Sequence, residues 1–413
     1  MNRFAFGAPL LLLAACASTG STDTTGTDTA GDTADTSTDT AKDTGKDTGD
    51  TDTGKDTGKD TGVDTSDTGN PDTPKNGYYG QPTLGIVADD GAGGANVYVM
   101  DSGATTLTKV PDLTVGVKAT IACAGSFLWV LDPQTGSTAE SAYGIDGHTG
   151  ALVRTLALPA GFGARALAFS NGSFWFGGDG SANLVSFEEA GTEGPTVDLS
   201  SLADSDGLPE VRGFVPAGAG LGVILARTTG SSYGTSKIAA MDLAAGTILG
   251  SGDLTGGNAG STATGIPGGV MVETLPHGAV AGTLEGFDLT SYTSSGTIID
   301  YTGSTRVASV AGGNDGTVWV ALKSGGTTTL HHYFADGTEL GSFTTHTEAE
   351  ALAPFTPKIY SGEGTGTATT VVPYDMGAGT AGTPVVLGAT IKNMFTCQPP
   401  PGPPDTGADT AKP

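Results

Sequence analysis

The chain is poor in the residues that most catalytic motifs are built from. Its 413 residues hold only five histidines, three cysteines and three tryptophans. No Gly-x-Ser-x-Gly elbow, phosphate-cradling glycine loop or His-Glu-x-x-His pair occurs, which removes the commonest nucleophile, nucleotide and zinc signatures. Basic residues are scarce as well: 18 Lys and Arg stand against 44 Asp and Glu, a net charge of −26 at pH 7. Such a field repels polynucleotides and anionic lipid surfaces, and argues against a nucleic-acid partner. The apolar run from Phe4 to Ala15 falls short of the roughly 20 residues that cross a bilayer as a helix.

Glycine is abundant, at 68 residues, and it recurs with acids in a turn repeated seven times. The turns are Met100-Asp101-Ser102-Gly103, Ile145-Asp146 with Gly150, Phe187-Glu188 with Gly191, Met241-Asp242 with Gly246, Phe287-Asp288 with Gly296, Phe334 with Asp336-Gly337, and Tyr374-Asp375 with Gly379. A carboxylate can accept backbone N–H groups two residues on, and Gly supplies the positive φ that closes a hairpin, so each turn should join two antiparallel strands. The period of about 46 residues is that of four-stranded blades arranged around an axis.

Some 15 residues before each turn lies a short apolar run bounded by Gly, the pattern of a buried strand. These runs are Leu84–Asp89, Leu128–Asp132, Phe174–Asp179, Gly222–Arg227, Gly269–Glu273, Val318–Lys323 and Ile359–Glu363, and they read as the second strand of each blade. Small-residue segments precede them, including Thr120–Cys123, Arg165–Phe169, Arg306–Val310 and Glu350–Ala353, and suit the crowded inner wall of a ring. The first unit lacks such a strand, whereas Ala389–Phe395 is left over after the last and repeats the Ala-Thr-Ile of Ala119–Ile121. The expectation is an all-β, seven-bladed β-propeller over residues 78–397, closed by its C-terminal strand.

Segments such as Gly125–Asp132 followed by Tyr143–Gly150 resemble the repeats of bacterial seven-bladed propellers of the YVTN and streptogramin-lyase-like type. The resemblance covers residues 80–397 and its motifs are structural; no residue group matches the catalytic set of streptogramin lyases. The WD dipeptide is missing, as is the late-blade Trp of pyrroloquinoline quinone enzymes, which argues against that cofactor.

The N-terminal segment points to a location. A short basic start, the apolar run and then Leu13-Ala14-Ala15-Cys16 resemble a lipoprotein signal peptide, residues 1–15, ending in a lipobox. Cys16 would then carry several acyl chains and hold the protein on a lipid bilayer of the bacterial envelope, since one chain binds only marginally. Ala17 at the next position resembles the sorting pattern for the outer membrane. Residues 16–77 repeat Asp-Thr-Gly and Lys-Asp-Thr-Gly with almost nothing to bury, and are expected to be a disordered tether; residues 398–413 return to that composition as a disordered tail. No twelve-residue calcium loop with a closing Glu is present in the tether.

With Cys16 committed to lipid, Cys123 and Cys397 remain as a pair in an oxidising compartment, expected on or beside the inner strands of neighbouring blades. A disulfide there would close the ring and stabilise it by about 4 to 5 kcal/mol in the loop-entropy model.

In a propeller, the loops after second strands and those entering inner strands share one face. That face should carry Asp89, Asp90, Asp132, Asp179, Asp204, Asp206, Glu210, Glu273, His277, His346, Glu348, Glu350 and Glu363, with Arg227 and Lys323 at two second-strand ends. Convergent carboxylates suit a divalent cation or a basic ligand, although solvated loop charge gives the same pattern. His331 and His332 are neighbours on one strand and should face opposite ways, and His148 belongs to a turn on the other face. Two functional classes follow: a tethered, non-catalytic propeller that binds a protein, glycan or small ligand, or a metal-dependent envelope lyase or hydrolase using Glu273, His277, His346 and Glu348.

Overall fold

The structure is a computed structural model. It describes residues 80–398, apart from 102–105, 134–139, 205–206, 218–219, 226–227, 230–231, 234–235, 256–258, 267–268, 275–282, 301–305, 313–316, 325, 335 and 365–366. The expected signal peptide, Cys16, tether and tail after 398 lie outside the described residues.

Seven four-stranded antiparallel sheets form the blades of a β-propeller. The inner strands are Ile391–Cys397, Thr120–Ala124, Ala164–Ser170, Val211–Ala217, Ala259–Ile266, Arg306–Gly312 and Ala349–Phe355, for blades 1 to 7 in turn. Each neighbours the next around the ring, and blade 7 meets blade 1 to close it. The second strands are Thr83–Asp89, Phe127–Asp132, Ser173–Gly178, Gly220–Leu225, Gly269–Thr274, Val318–Ser324 and Lys358–Glu363. Apart from a 3-10 turn at Ser200–Leu202, the described residues carry no helix.

The C-terminal strand completes the first blade, as its repeated Ala-Thr-Ile implied. Ile391–Cys397 runs antiparallel to Thr83–Asp89 and is the innermost strand of blade 1. It is held from both sides. Asn393 Oδ1 accepts the buried N–H of Ile121 in blade 2 at 3.0 Å, and Thr396 Oγ1 donates to Pro354 O in blade 7. Cys397 is bonded to Cys123 of blade 2, their Cα atoms 5.4 Å apart.

The apolar core is a belt of clusters, each spanning the contact between neighbouring blades. This follows from the inner and second strands being apolar on both faces: Thr120–Ala124 is buried at every position, and Ser173–Gly178 at all but the first. Trp129 of blade 2 sets its indole edge-on against Phe174 and Phe176 of blade 3, with ring centroids 4.8 and 6.2 Å away. Trp319 of blade 6 stacks on His332 at 4.1 Å and meets Phe343 at 5.7 Å. A ring of that size removed from water contributes at most about 4–6 kcal/mol. Packing therefore accounts for both tryptophans: between blades for Trp129, and for Trp319 within its own blade and in the buried cluster it shares with Leu352, Ile359 and Tyr374 of blade 7.

Most of the turns form as their acids dictate. Asp146 accepts the N–H groups of His148 and Thr149 at 2.9 and 2.8 Å, and Asp242 those of Ala244 and Ala245 at 2.9 and 3.0 Å. Asp375 does the same with Gly377 and Ala378 at 3.0 and 2.7 Å. In each the residue four places on, Gly150, Gly246 or Gly379, has positive φ. Blade 5 departs from the expectation. Its turn acid Asp288 is followed at that offset by Tyr292, which takes the left-handed conformation itself at φ 56°, while Gly296 at φ 89° sits inside the outer strand beside a register shift. The Tyr292 ring covers Gly250 of blade 4, where a Cβ would come within 2.3 Å of it, so packing offsets the backbone cost. Blade 4 also differs: its second strand ends at Leu225, and a two-stranded hairpin, Thr228–Thr229 with Ser232–Tyr233, is inserted before the third.

Candidate functional site

All seven inner strands begin at the same face, the one reached from the outer strand of the preceding blade. In six blades the inner strand starts with a register shift, and in five of these, all but blade 5, it is a β-bulge of one extra residue. The extra residue is Lys392 in blade 1, Arg165 in blade 3, Arg212 in blade 4, Ala308 in blade 6 and Glu350 in blade 7. A bulge breaks the two-residue alternation and re-aims one side chain without disturbing its neighbours. Four of the five re-aimed residues are charged, and each meets a charge at or near the end of a second strand.

Asp89, the last residue of its strand, accepts Gly91 N–H at 2.8 Å and pairs with Lys392 Nζ at 3.0 Å. The Gly91 bond first and the Lys392 ammonium second hold its carboxyl below the usual aspartate range. Asp179, just past the end of its strand, accepts Arg165 Nε and Arg212 Nη1 on the same oxygen, Oδ2, each at 2.9 Å. Lys323 lies 3.6 Å from Glu348 and is hydrogen-bonded to Glu350.

Two further carboxylates of this face bind backbone instead. Asp132, buried, takes the N–H of Gly116 at the end of blade 1. Glu363, also buried, takes Thr347 N–H at 3.0 Å and the Tyr374 hydroxyl at 2.7 Å, and that hydroxyl in turn accepts His346 N–H. Burial, with the Glu363 bond second, raises the Tyr374 pKa far above its ordinary value and keeps the hydroxyl a donor. Two acids that the sequence did not single out belong to the same scheme. Glu140 accepts Gly163 and Ala164 N–H at 2.7 and 2.9 Å, and Glu285 accepts Thr255 N–H at 2.6 Å. In each case a buried carboxylate ties down the chain where it crosses from one blade to the next.

The residues expected to converge are thus dealt around the ring: Asp89 in blade 1, Asp132 where blade 1 hands over to blade 2, Asp179 between blades 3 and 4, and His346, Glu348 and Glu363 between blades 6 and 7. Glu273 is the penultimate residue of the second strand of blade 5, its side chain outside the described residues, as is all of His277. Among the described residues no group of three or more His, Cys, Asp or Glu side chains could hold a metal ion. His331 pairs with Glu339 at 2.8 Å while His332 turns to Trp319, the opposite orientations expected of neighbours on a strand.

Sequence reasoning missed the cationic partners Arg165, Arg212 and Lys392, although the signal was present. Ala164-Arg165-Ala166, Val211-Arg212-Gly213 and Ile391-Lys392-Asn393 each set one charge among small or apolar residues at the head of an inner strand.

No family model matches the chain, and no curated protein matches it. Solved structures do. A protein from Lactobacillus plantarum is 13% identical with a TM-score of 0.53, over 77% of this chain and 100% of that one. A candidate 6-phosphogluconolactonase from Bacteroides uniformis is 12% identical with a TM-score of 0.51, again over 77% and 100%. At such identities the likeness is one of fold.

Proposed function

We propose that this chain is an envelope-anchored lipoprotein whose propeller is a non-catalytic binding module, presented on the tether of residues 16–77. The observation that carries the binding reading is the use made of the acidic face. Asp89, Asp132, Asp179, Glu348 and Glu363 have intramolecular partners that hold strands and blades in register, whereas a metal hydrolase needs carboxylates left open to ligate or to move protons. The anchor rests on the sequence Leu13-Ala14-Ala15-Cys16 and agrees with a Cys123–Cys397 disulfide, which persists outside reducing compartments. The bilayer is the partner at one end and a protein, glycan or small ligand at the other.

Two measurements on the full chain test this. Membrane fractionation should find the protein with the outer membrane, and Cys16→Ser should release it; a variant that stays bound removes the lipid anchor. Thermal melts in chelator, then with calcium, magnesium, manganese or zinc, should coincide. A cation-specific, saturable rise of several degrees would overturn the non-catalytic reading in favour of a metal-dependent lyase or hydrolase, because a ligand stabilises only the state it binds.

A further inference from the structure

In a chain of net charge −26, two guanidiniums stand side by side at the leading ends of two inner strands. Arg165 and Arg212 are both bulge residues, and both rest on Oδ2 of Asp179. Each side chain is only 19% exposed. Arg165 spends its Nε on Asp179, and its two terminal nitrogens have no partner among the described residues. Neither of those nitrogens is sealed from solvent. A largely buried arginine whose outer fork still reaches water is a recognition group more than a surface charge.

The surroundings limit what the fork can take. Asp179 supplies one negative charge, Glu210 a second at 4.0 Å from Arg212 Nη2, and Glu140 a third that is committed to the N–H groups of Gly163 and Ala164. Glu210 itself is held at φ 42°, a left-handed conformation costly for a residue with a side chain, at the step into the Arg212 strand. Two guanidiniums against three carboxylates disfavour a doubly charged anion more than a singly charged one, and the planar pair of terminal nitrogens matches two oxygens in one plane.

We propose that Arg165, backed by Asp179 and Arg212, is the recognition point for the carboxylate of a small monocarboxylic acid, at the face between blades 3 and 4. The assignment rests on the binding-module reading and names the ligand class for it. The acid presents both oxygens to the Arg165 fork, Asp179 holds the fork in place, and Arg212 offsets the charge of Asp179.

The test is a thermal melt of the full chain at constant ionic strength with acetate, lactate or glucuronate, and separately with inorganic phosphate. At least one of the three carboxylates should raise the melting temperature saturably, and phosphate at equal concentration should raise it less. Arg165→Gln should weaken that response at least tenfold while leaving the ligand-free melt cooperative. If Arg165→Gln does not fold, Arg165→Lys decides: it keeps the ion pair with Asp179 but loses the fork, and should also bind at least tenfold more weakly. No response to any carboxylate, a response undiminished in the variant, or a stronger response to phosphate overturns the proposal. A chain indifferent to carboxylates and to divalent cations alike loses only this ligand assignment, whereas a chain stabilised by a cation loses the binding-module reading.

Discussion

At the scale of single residues, the equivalent positions of Trp129 and Trp175 in two second strands hide different hydrogen-bond accounts. Trp129 donates its indole N–H to Ala124 O at 3.1 Å, while the buried N–H of Trp175 meets no acceptor among the described residues. A buried orphan donor costs about 1–3 kcal/mol, so replacing the two rings by Phe should not cost the same. Trp129→Phe is expected to lose about 2–4 kcal/mol through the lost bond and the cavity; Trp175→Phe should lose about 1–2 kcal/mol less, because it also removes the orphan. Chemical unfolding of the two variants checks this, and equal losses would mean that the Trp175 donor is satisfied in solution. The same logic explains the buried acids: Glu140, Glu285 and Glu363 are tolerated in the interior because backbone N–H groups at the crossings between blades replace their water. Their roles could not be read from the chain, since Glu285 and its partner Thr255 are 30 residues apart and only the fold joins them.

At the scale of the element, acid-capped turns give the molecule a pH signature: the hairpin turns at Asp288 and Asp336, and the turn at Asp198 that follows the outer strand of blade 3. Backbone N–H bonds, from Ser200 to Asp198, from Ser291 and Thr290 to Asp288, and from Thr338 to Asp336, hold these carboxyls below the ordinary value of 3.8. A depressed folded-state pKa stabilises fully above the unfolded value and fades as pH falls through the folded one. From these groups the melting temperature should be flat between pH 5 and 7 and should drop below about pH 4. The triple variant Asp198→Asn, Asp288→Asn, Asp336→Asn keeps an accepting oxygen in each turn but cannot titrate, so its acid limb should be shallower; superimposable curves would rule this out. The turn acids Asp288 and Asp336 and the second strands were legible in the sequence because each is a local signal: an acid before a run of N–H groups, or Phe-Trp-Phe between glycines; Asp198 was not singled out. The outer strands were not. Glu339–Thr344 is exposed at every position but one, so no burial pattern marks it. Nor did Gly296 reveal that Tyr292 closes its hairpin, because the residue that pays for that conformation, Gly250, belongs to another blade. The bulges escaped for a related reason: a lone Arg between alanines reads as an irregular strand until the register shows one residue too many.

At the scale of the whole molecule, the ring is fastened where its ends meet, by sheet pairing, by Asn393 and Thr396, and by the Cys123–Cys397 bond. Loss of that bond should lower stability by about 2–5 kcal/mol. Cys397→Ser should therefore melt earlier than the parent in non-reducing buffer and show no further change on adding a thiol reductant; a parent unaffected by the reductant would mean that pairing alone fastens the ring. The closure was legible in the sequence because the first unit lacked a strand and the last had one to spare. The pairing of Arg165 and Arg212 on Asp179 was not, because it needs the curvature that brings blades 3 and 4 together. Closure by the last strand also sets an order in time. Synthesis adds about 5–20 residues per second, and Cys397 follows Cys123 by 274 residues. The three strands of blade 1 that are made first therefore wait roughly 15 to 55 s for their fourth, and the first blade to be begun is the last to be finished.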